Sequence, residues 1–327
     1  MNSKSIIGIG NALMDIVVKL NDDTILEKNK LPKGSMTLVD SATSASLNHQ
    51  TEGMEKILAA GGSVANTIDG LAHLGAPTSF IGKVGNDELG RIYYEDLKNI
   101  GVKPHLFKSF NPTGVAMALV TPDSERTFGT YLGVAVEMSP NDLSSTLFEG
   151  HNIAYVEGYL VQNHNLVRQA ASLAKNAGLS IALDLASYNV VEENLDFLKE
   201  IASEYVDIIF ANEEESKAFT GKNPRESVKE LSKLCHIAVV KTGAQGSLIC
   251  SGKEFIEIGV TGNSCVDTTG AGDLYAAGFL YGYSLGLPLE KCGKIASVVA
   301  GKVISIYGAR MNETMWEQIK AEVSKII

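Results

Sequence analysis

Cysteine is scarce in this chain of 327 residues, which has four cysteines and no C-x-x-C pair. The intervals between successive cysteines are 15, 15 and 27 residues. This spacing excludes the usual zinc sites and a disulfide framework. We therefore expect a cytoplasmic protein in a reducing environment, with the cysteines acting as small core residues. They are Cys235, Cys250, Cys265 and Cys292.

An excess of positive charge and long apolar runs are also missing. The 28 Lys and Arg residues are outnumbered by 38 Asp and Glu residues, so the formal net charge is −10. Because binding to a phosphate backbone needs a positive surface, nucleic acid is not an expected partner. The longest uncharged stretch, residues 274–289, is too short and too rich in glycine to span a membrane. The first ten residues show no secretory signal.

Two common nucleotide-binding motifs are absent. Every Gly-Lys pair is followed by a residue other than Ser or Thr, so the loop G-x-x-x-x-G-K-[ST] does not occur. The pattern Gly8-Ile9-Gly10 is followed by Leu13, where G-x-G-x-x-G needs a third glycine. A P-loop enzyme and a dinucleotide-dependent dehydrogenase therefore lose most of their support.

Short β-branched runs alternate with helical patterns along a chain that is 45% hydrophobic and 20% charged. This alternation predicts an α/β fold with a parallel sheet flanked by helices. The predicted strands are residues 5–10, 153–157, 180–184, 207–211 and 237–241. The predicted helices are residues 63–74, 87–100, 166–177, 226–234, 271–285 and 289–306.

Two regions, residues 15–40 and 104–131, interrupt this alternation with short strands and turns. We expect them to form a small sheet that covers one edge of the main domain as a lid. No linker rich in Pro or Ser separates independent domains, so residues 1–327 are predicted to form a single domain. Because a lid can cover its own site or pair with the lid of a second subunit, the sequence is compatible with a monomer or a homodimer.

A glycine-rich turn at residues 267–273 opens directly into a predicted helix. The amides of Gly270, Ala271 and Gly272 would be unpaired donors at the positive end of the helix dipole, which suits an anion. Asp273 would repel that anion, unless it takes a proton from an incoming hydroxyl as a phosphoryl group arrives. Alternatively, Asp273 is an ordinary acidic residue that stabilises the dipole, and the residues alone favour neither interpretation.

Two further segments follow predicted strands. Residues 241–247 form a glycine-containing loop that could hold part of a nucleotide, although a plain β-turn is the commoner explanation. Residues 212–215 lie at the carboxyl edge, where open α/β sheets bind ligands. Their three carboxylates either organise Mg²⁺ and its waters or begin a solvated helix.

Asn11 and Asp15 follow the first predicted strand, and a second glycine turn opens another helix. The residues of interest around that turn are Gly61, Gly62, Ser63 and Asn66. A carboxylate and an amide can bind adjacent hydroxyls of a polyhydroxy ligand, whereas the alternative is a helix capped by Ser63. Arg126 is expected in a solvated turn that includes Ser124, although an arginine on a lid could also reach a transferring phosphate.

At these residues the chain resembles the ribokinase-like (PfkB) family of carbohydrate and nucleoside kinases, over nearly its whole length. The most specific mark is residues 267–273, which are similar to the family signature D-T-x-G-A-G-D. The resemblance implies a central, mostly parallel sheet flanked by helices, with a small β-sheet lid. It also implies an ATP-dependent kinase that uses Mg²⁺.

The resemblance also implies roles for single residues. Asp273 matches the catalytic base. The anion hole is matched by Gly270, Ala271 and Gly272. The motif N-x-x-E, associated with magnesium and phosphate, is matched by Asn212 and Glu215. The nucleotide loop is matched by Thr242, Gly243 and Gly246. Positions near a monovalent-cation site of some members are matched by Asp267 and Thr269, which makes potassium activation a hypothesis.

Asn11 and Asp15 resemble the pair that holds the ribose in the adenosine kinase branch. Residues 61–67, 126–133, 157–160 and 308–310 also look like bacterial members of that branch. The ribokinase pattern G-G-K-G-A-N is not matched, because Ser63 replaces the lysine.

The acceptor is therefore expected to be a primary hydroxyl of adenosine, with fructose, ribose or a sugar acid as alternatives. Phe128, Tyr131 and Leu132 could supply an apolar lid face for an adenine. From a different class, the chain could be a catalytically silent ligand sensor. Asp273 argues against a silent sensor, because a protein that only binds its ligand does not need a carboxylate facing the phosphate.

Overall fold

The computed structural model describes residues 3–123, 125–262 and 265–327. Ser124, in the turn predicted around Arg126, lies outside the described residues. Within them the strands are β1 (Ile6–Ile9), β2 (Leu13–Lys19), β3 (Met36–Leu38), β4 (Lys56–Gly61), β5 (Thr78–Gly85), β6 (Lys103–Ser109), β7 (Gly114–Val120), β8 (Arg126–Tyr131), β9 (Ile153–Val156), β10 (Ser180–Asp184), β11 (Ile208–Asn212), β12 (Ile237–Lys241), β13 (Ser247–Ser251) and β14 (Glu254–Ile258).

The α-helices are α1 (Thr24–Lys28), α2 (Ser41–Gln50), α3 (Ser63–His73), α4 (Glu88–Asn99), α5 (His164–Asn176), α6 (Tyr188–Glu193), α7 (Leu195–Glu204), α8 (Glu213–Thr220), α9 (Pro224–Leu231), α10 (Ala271–Ser284), α11 (Leu289–Val303) and α12 (Glu313–Val323). Each of the six predicted helices overlaps one of these, with ends that differ by at most three residues. No helix of the described part is both long and apolar enough to cross a membrane.

The larger sheet has nine strands in the order β14-β13-β12-β11-β10-β9-β1-β5-β6. Strands β12 to β6 of this order pair in parallel, and β13 and β14 add an antiparallel edge. The central strands are buried on both faces, as a parallel sheet between helices requires. The predicted α/β architecture is confirmed.

Helices cover both faces of the larger sheet and form two apolar cores. One core joins α3, α4, α10, α11 and α12 to the sheet, and the other joins α5 to α9. Gly8 of β1 lets α3 approach the sheet closely, because a Cβ there would lie 2.6 Å from side-chain atoms of Ile68 and Val64. The start of α3 is thereby held near the carboxyl end of β1.

A second, smaller sheet has the strand order β3-β8-β7-β2-β4. The predicted lid strands contribute to it, but residues 104–109 do not: they lie in β6, which pairs with β5 in the larger sheet. Strand β4, which was not predicted, forms an edge of the smaller sheet. A partly exposed edge strand has the same mixture of polar and apolar residues in either sheet. Only its hydrogen-bonded pairing shows which sheet it belongs to.

The two faces of the smaller sheet differ. Met14, Ile16 and Val18 are buried on one face, in the core that includes residues of α1 and α2. Asp15 lies on the other face, and register places Phe128 on that same face. Tyr131 lies opposite, because alternate residues of a strand point to opposite faces. Phe128 and Tyr131 therefore cannot share one lid face, contrary to the expectation.

Three of the four cysteines are buried as predicted, but Cys265 is exposed. It precedes the glycine-rich turn rather than lying within a strand or helix. A cysteine in a short polar connection has no apolar core to pack against. The spacing between cysteines in the sequence does not predict whether each one is buried.

Candidate active site

The predicted base and the predicted acceptor loop meet although they lie 207 residues apart in sequence. Asp273, in the first turn of α10, accepts a hydrogen bond from Ser63 Oγ at 2.7 Å and another from Asn66 Nδ2 at 3.0 Å. Thr67 Oγ1 donates to the backbone oxygen of Asp273 at 3.0 Å. The N-termini of α3 and α10 are therefore joined through this carboxylate.

Burial raises the pKa of Asp273 to about 6. The hydrogen bonds from Asn66 and Ser63 and the charge of Lys241 oppose this effect, while the charge of Asp184 adds to it. A carboxyl group with this pKa is ionised at neutral pH, yet it is more basic than an exposed aspartate. Such a balance suits a general base.

The glycine-rich turn has a left-handed residue at its centre. Gly270 has φ 75°, and a Cβ there would lie 2.5 Å from Ala309 Cβ. The Ala271 amide, which was expected to be unpaired, donates to Thr268 O at 3.1 Å. That bond closes the tight turn before the helix, so the predicted set of three free amides loses one member in this conformation.

Asn11 is held by a residue that the spacing arguments missed. Glu157, directly after β9, accepts from Asn11 Nδ2 at 2.8 Å and from the amides of Asn11 and Val64, both at 3.3 Å. Burial raises the pKa of Glu157 to about 7. A carboxylate immediately after a fully apolar strand, at the carboxyl edge of the sheet, is the signal that would have found it.

Two buried amide oxygens at this point have no partner among the described residues: Asn11 Oδ1 and Asn66 Oδ1. Buried acceptors are normally hydrogen-bonded, so each is available to a donor from a ligand. Ligand hydroxyl groups are suitable donors. The side-chain amides of Asn11 and Asn66 can therefore still bind ligand hydroxyls, as the sequence predicts.

Asp15 lies on β2, and burial raises its pKa to about 7, against the opposing charge of Arg310. Gly61 of β4 pairs with Leu13 and lies diagonally across from Asp15, and a Cβ there would lie 2.2 Å from Asp15 Cγ. Only glycine allows β4 to pass the carboxyl group at this distance.

The backbone of β4 beside Asp15 is held by three side chains, two from α4 and one from the segment before α12. Asp96 of α4 accepts from the Ala60 amide at 2.7 Å, and Arg310 donates to the Ala60 oxygen. Tyr93 donates to the Gly61 oxygen at 2.9 Å. Arg310 also forms an ion pair with Asp69 of α3. In the sequence only the resemblance of residues 308–310 points to Arg310, because its partners are far apart along the chain.

Arg126 is not in a solvated turn. It begins β8, and its guanidinium donates to Asp267 Oδ2 at 2.9 Å, with both side chains nearly buried. Asp267 also accepts from the Gly308 amide and from Thr269 N and Oγ1. In this conformation protein donors contact both oxygens of Asp267, and a monovalent cation near Asp267 and Thr269 stays a prediction.

Neighbouring strands of the larger sheet end in Asp184, Asn212 and Lys241. Asn212 caps α8, and Glu215 accepts from the Asn212 amide and from its Nδ2, both at 2.7 Å. Glu215 is buried, so the alternative of a solvated helix start is wrong for this carboxylate. Burial raises its pKa to about 7, and the charge of Lys241 opposes the rise.

The loop after β12 forms a compact turn. The Thr242 amide donates to Gly246 O at 2.8 Å, and the Gln245 amide donates to Thr242 O at 2.9 Å. Gly243 faces the start of α8, since a Cβ there would lie 3.9 Å from Glu213 Oε2. The two predicted nucleotide-binding segments therefore lie side by side.

A cavity of about 540 Å³ opens beside Asn11. Its wall combines apolar side chains with the amide groups of three residues that follow β9. The lining residues include Ala135, Val136, Tyr159, Leu160, Gln162 and Asn163. A flat, partly polar group attached to a ligand at Asn11 would fit such a wall.

The chain matches the model of the pfkB family carbohydrate kinases over residues 37–315. A solved structure of a probable sugar kinase from Rhizobium etli is 32% identical, with a TM-score of 0.87, and each chain is covered completely. The adenosine kinase from Sinorhizobium meliloti is 34% identical with a TM-score of 0.86, over 98% of this chain and 99% of that one. A ribokinase from Arabidopsis thaliana is 28% identical over 94% of this chain and 80% of its own length.

These relatives share one reaction type, and the family match covers most of the chain, including the glycine-rich turn and Asp273. The smaller sheet and the mostly parallel larger sheet are those of the ribokinase-like fold. The protein therefore belongs to the pfkB family of carbohydrate kinases and is an ATP-dependent kinase.

Proposed function

We propose that this kinase transfers the γ-phosphoryl group of ATP to the primary hydroxyl of a small ribose-like acceptor, and that this acceptor is adenosine. The observation that carries the proposal is the 540 Å³ cavity that has Asn11, one of the proposed hydroxyl-binding residues, in its wall. Similarity to an adenosine kinase at 34% identity supports the same acceptor.

The ribose hydroxyls are assigned to Asp15, Asn11 and Asn66, with Gly61 to Ser63 forming the backbone around them. Asp15 offers a carboxylate without a protein hydrogen-bond partner among the described residues, and the two amides offer free oxygens. Adjacent hydroxyls of a ribose are donors to such groups. The primary hydroxyl then points toward Asp273, which accepts a hydrogen bond from Asn66.

The base is assigned to the cavity. Tyr159 is 36% exposed there, so its ring is available to stack on a heterocycle. Gln162 and Asn163 supply amide groups for the polar edge of the base. A bare sugar would leave this wall unused.

In the reaction, Asp273 accepts the proton of the primary hydroxyl as its oxygen bonds to the γ-phosphorus, and the glycine-rich turn stabilises the charge. The loop at Thr242, Gly243 and Gly246 holds the nucleotide. Glu215, with Asn212, is assigned to the waters of Mg²⁺, since each carboxylate oxygen retains a second lone pair. Bound Mg²⁺ supplies charge neutralisation to the phosphates.

The smaller sheet is proposed to act as the lid, with Arg126 held near the turn by Asp267. The assignment of Asp267 and Thr269 to a monovalent cation predicts higher turnover with K⁺ than with Na⁺. A comparison of K⁺ with Na⁺ at equal ionic strength tests this. Monomer and homodimer are both compatible with a single-chain site of this kind.

The second candidate is a sugar kinase acting on fructose, ribose or a sugar acid. It is favoured by the 32% identity to a probable sugar kinase over the whole chain. The chemistry at Asp273 would be unchanged, and only the use of the cavity would differ.

A coupled ADP-release assay with ATP and Mg²⁺ separates these candidates. Adenosine, inosine, ribose, fructose and 2-keto-3-deoxygluconate are compared as acceptors. Saturable turnover on adenosine is expected, and turnover on a sugar alone would overturn the nucleoside assignment. Absence of turnover on every acceptor would favour a ligand sensor.

Tyr159→Ala provides a second test, with Tyr94→Ala as a control of similar exposure on α4. Loss of stacking is expected to raise the KM for adenosine about tenfold. Tyr94→Ala should leave that KM unchanged. An unchanged KM in Tyr159→Ala would place the base elsewhere.

A further inference from the structure

Lys241 is a buried lysine at the carboxyl end of β12 that the mechanism so far does not use. Its Nζ forms an ion pair with Asp184 Oδ2 at 3.1 Å, and the two side chains are only 16% and 9% exposed. Asp184 ends β10, two strands away across β11. The ammonium group is therefore held across the edge of the sheet where the proposed nucleotide loop begins.

The ammonium also lies against the glycine-rich turn. A Cβ on Gly272 would be 3.1 Å from Lys241 Nζ, so the group borders the turn with no side chain between them. An ammonium has three hydrogen-bond donors, and Asp184 is its one hydrogen-bond partner within the described residues. Two donors remain for a group bound at the turn.

Acidic side chains outnumber Lys241 at this point of the sheet edge. Asp184, Glu215 and Asp273 all raise the pKa of Lys241, against the effect of burial, so it stays protonated. Arriving phosphates add further negative charge, and a cation beside the turn offsets it. Arg126 is engaged with Asp267 on the other side of the turn.

We propose that Lys241 is a catalytic residue that binds the γ-phosphoryl group at the glycine-rich turn and stabilises its charge during transfer. This proposal rests on the phosphoryl transfer at Asp273 described above. The acceptor oxygen bonds to the γ-phosphorus, and its proton passes to Asp273. The bond from that phosphorus to the bridging oxygen breaks, and ADP leaves with the electron pair. Lys241 keeps its proton throughout.

Binding of MgATP and MgADP by calorimetry tests this contact without an acceptor. Lys241→Met is expected to weaken MgATP about tenfold or more, the loss of one charged hydrogen bond, while MgADP changes little. Lys241→Arg should keep most of the MgATP affinity. Equal weakening of both nucleotides, or no weakening, would overturn the proposal.

Turnover on the acceptor identified by the ADP-release assay gives the second readout. Lys241→Met should lower kcat about 10²-fold, the loss typical of one preorganised donor. Lys175→Met is the matched control, because Lys175 pairs with Asp207 at 2.6 Å, just before β11 at the opposite edge of the sheet. It should leave kcat unchanged.

The double variant Lys241→Met/Asp184→Asn removes both buried charges and guards against misfolding of the single variant. If it recovers wild-type kcat, Lys241 only balances Asp184 and the proposal fails. If kcat stays low, the ammonium acts on the phosphate. Because nucleotide binding is measured separately, failure of adenosine as acceptor would not be mistaken for failure of the Lys241 assignment.

Discussion

Helices α8 and α10 both follow segments that end at the carboxyl edge of the larger sheet, and both carry acidic residues in the first turn. In α8, Glu215 and Asn212 satisfy each other in a capping box. In α10, no side chain caps the helix, and Asp273 binds Ser63 and Asn66 of α3 instead. An acidic residue that caps its own helix stabilises that helix. One that turns to another element joins the two elements, as Asp273 joins α10 to α3.

The same contrast bears on the question that the residues left open for Asp273. One alternative is an acid that stabilises its own helix dipole. The hydrogen bonds of this carboxylate go to α3, where the predicted acceptor groups lie. The role of Asp273 as a base stays a prediction. The following experiments test it, and the last of them compares α10 with α8.

Asp273→Asn should give the largest effect. The amide keeps the shape of the side chain but cannot accept the proton, so kcat should fall by about 10²–10⁴. Thermal unfolding should show an intact fold, and the variant should gain relative stability as pH rises from 4 to 6. The sign follows because burial raises the folded pKa to about 6, so ionising the wild-type carboxyl opposes folding over that range. Near-normal turnover would remove Asp273 from the mechanism.

The pH dependence of turnover should separate the ionisation of Asp273 from that of Asp15. With bound acceptor, kcat should fall about tenfold per pH unit below the pKa of about 6 of Asp273. In the free enzyme Asp15, with a pKa raised to about 7, must also be ionised, so kcat/KM for the acceptor should begin to fall at higher pH than kcat. Asp15→Asn should lower kcat/KM and abolish the fall of kcat/KM that begins near pH 7. If kcat and kcat/KM of the wild type fall over the same pH range, the assignment of Asp15 is contradicted.

Gly270→Ala should destabilise the chain more than Gly221→Ala, which is the matched control. Both glycines have a left-handed backbone, with φ 75° and 73°. A Cβ at 221 meets nothing within 4 Å, so its cost is about 1 kcal/mol of backbone strain. At 270 the same strain adds to a contact of 2.5 Å with Ala309 Cβ. Denaturant unfolding measures both, and equal losses would show that the turn is not tightly packed.

Asn212→Ala should give the smallest effect on stability. Removal of a capping side chain costs about 0.5–2 kcal/mol. Because Asp273 does not cap its helix, Asp273→Asn should show no such loss. Chemical denaturation of the two variants at pH 7 makes the comparison direct, and a larger loss in Asp273→Asn would reverse the contrast between the helices.

The alternation of strands and helices predicted the α/β architecture because both periodicities are local. The glycine-rich turn at residues 267–273 was found for the same reason, since its amides, glycines and acid are contiguous. Edge strands were harder. Strand β6 was assigned to the lid, and β4 was missed, because a partly exposed strand has no local feature that names its partner.

The residues that hold the site together lie beyond local patterns. Glu157, Arg310 and Lys241 each contact groups at least 57 residues away, so spacing along the chain carries no sign of their partners. Burial of the carboxylates, which raises the pKa of Asp15, Glu157 and Asp273, likewise depends on what the folded chain packs around them. Motifs whose residues are contiguous could be predicted from the amino-acid sequence. Contacts across the sheet edge, and the pKa shifts that follow from burial there, depend on the tertiary structure, because they join segments that are distant in the chain.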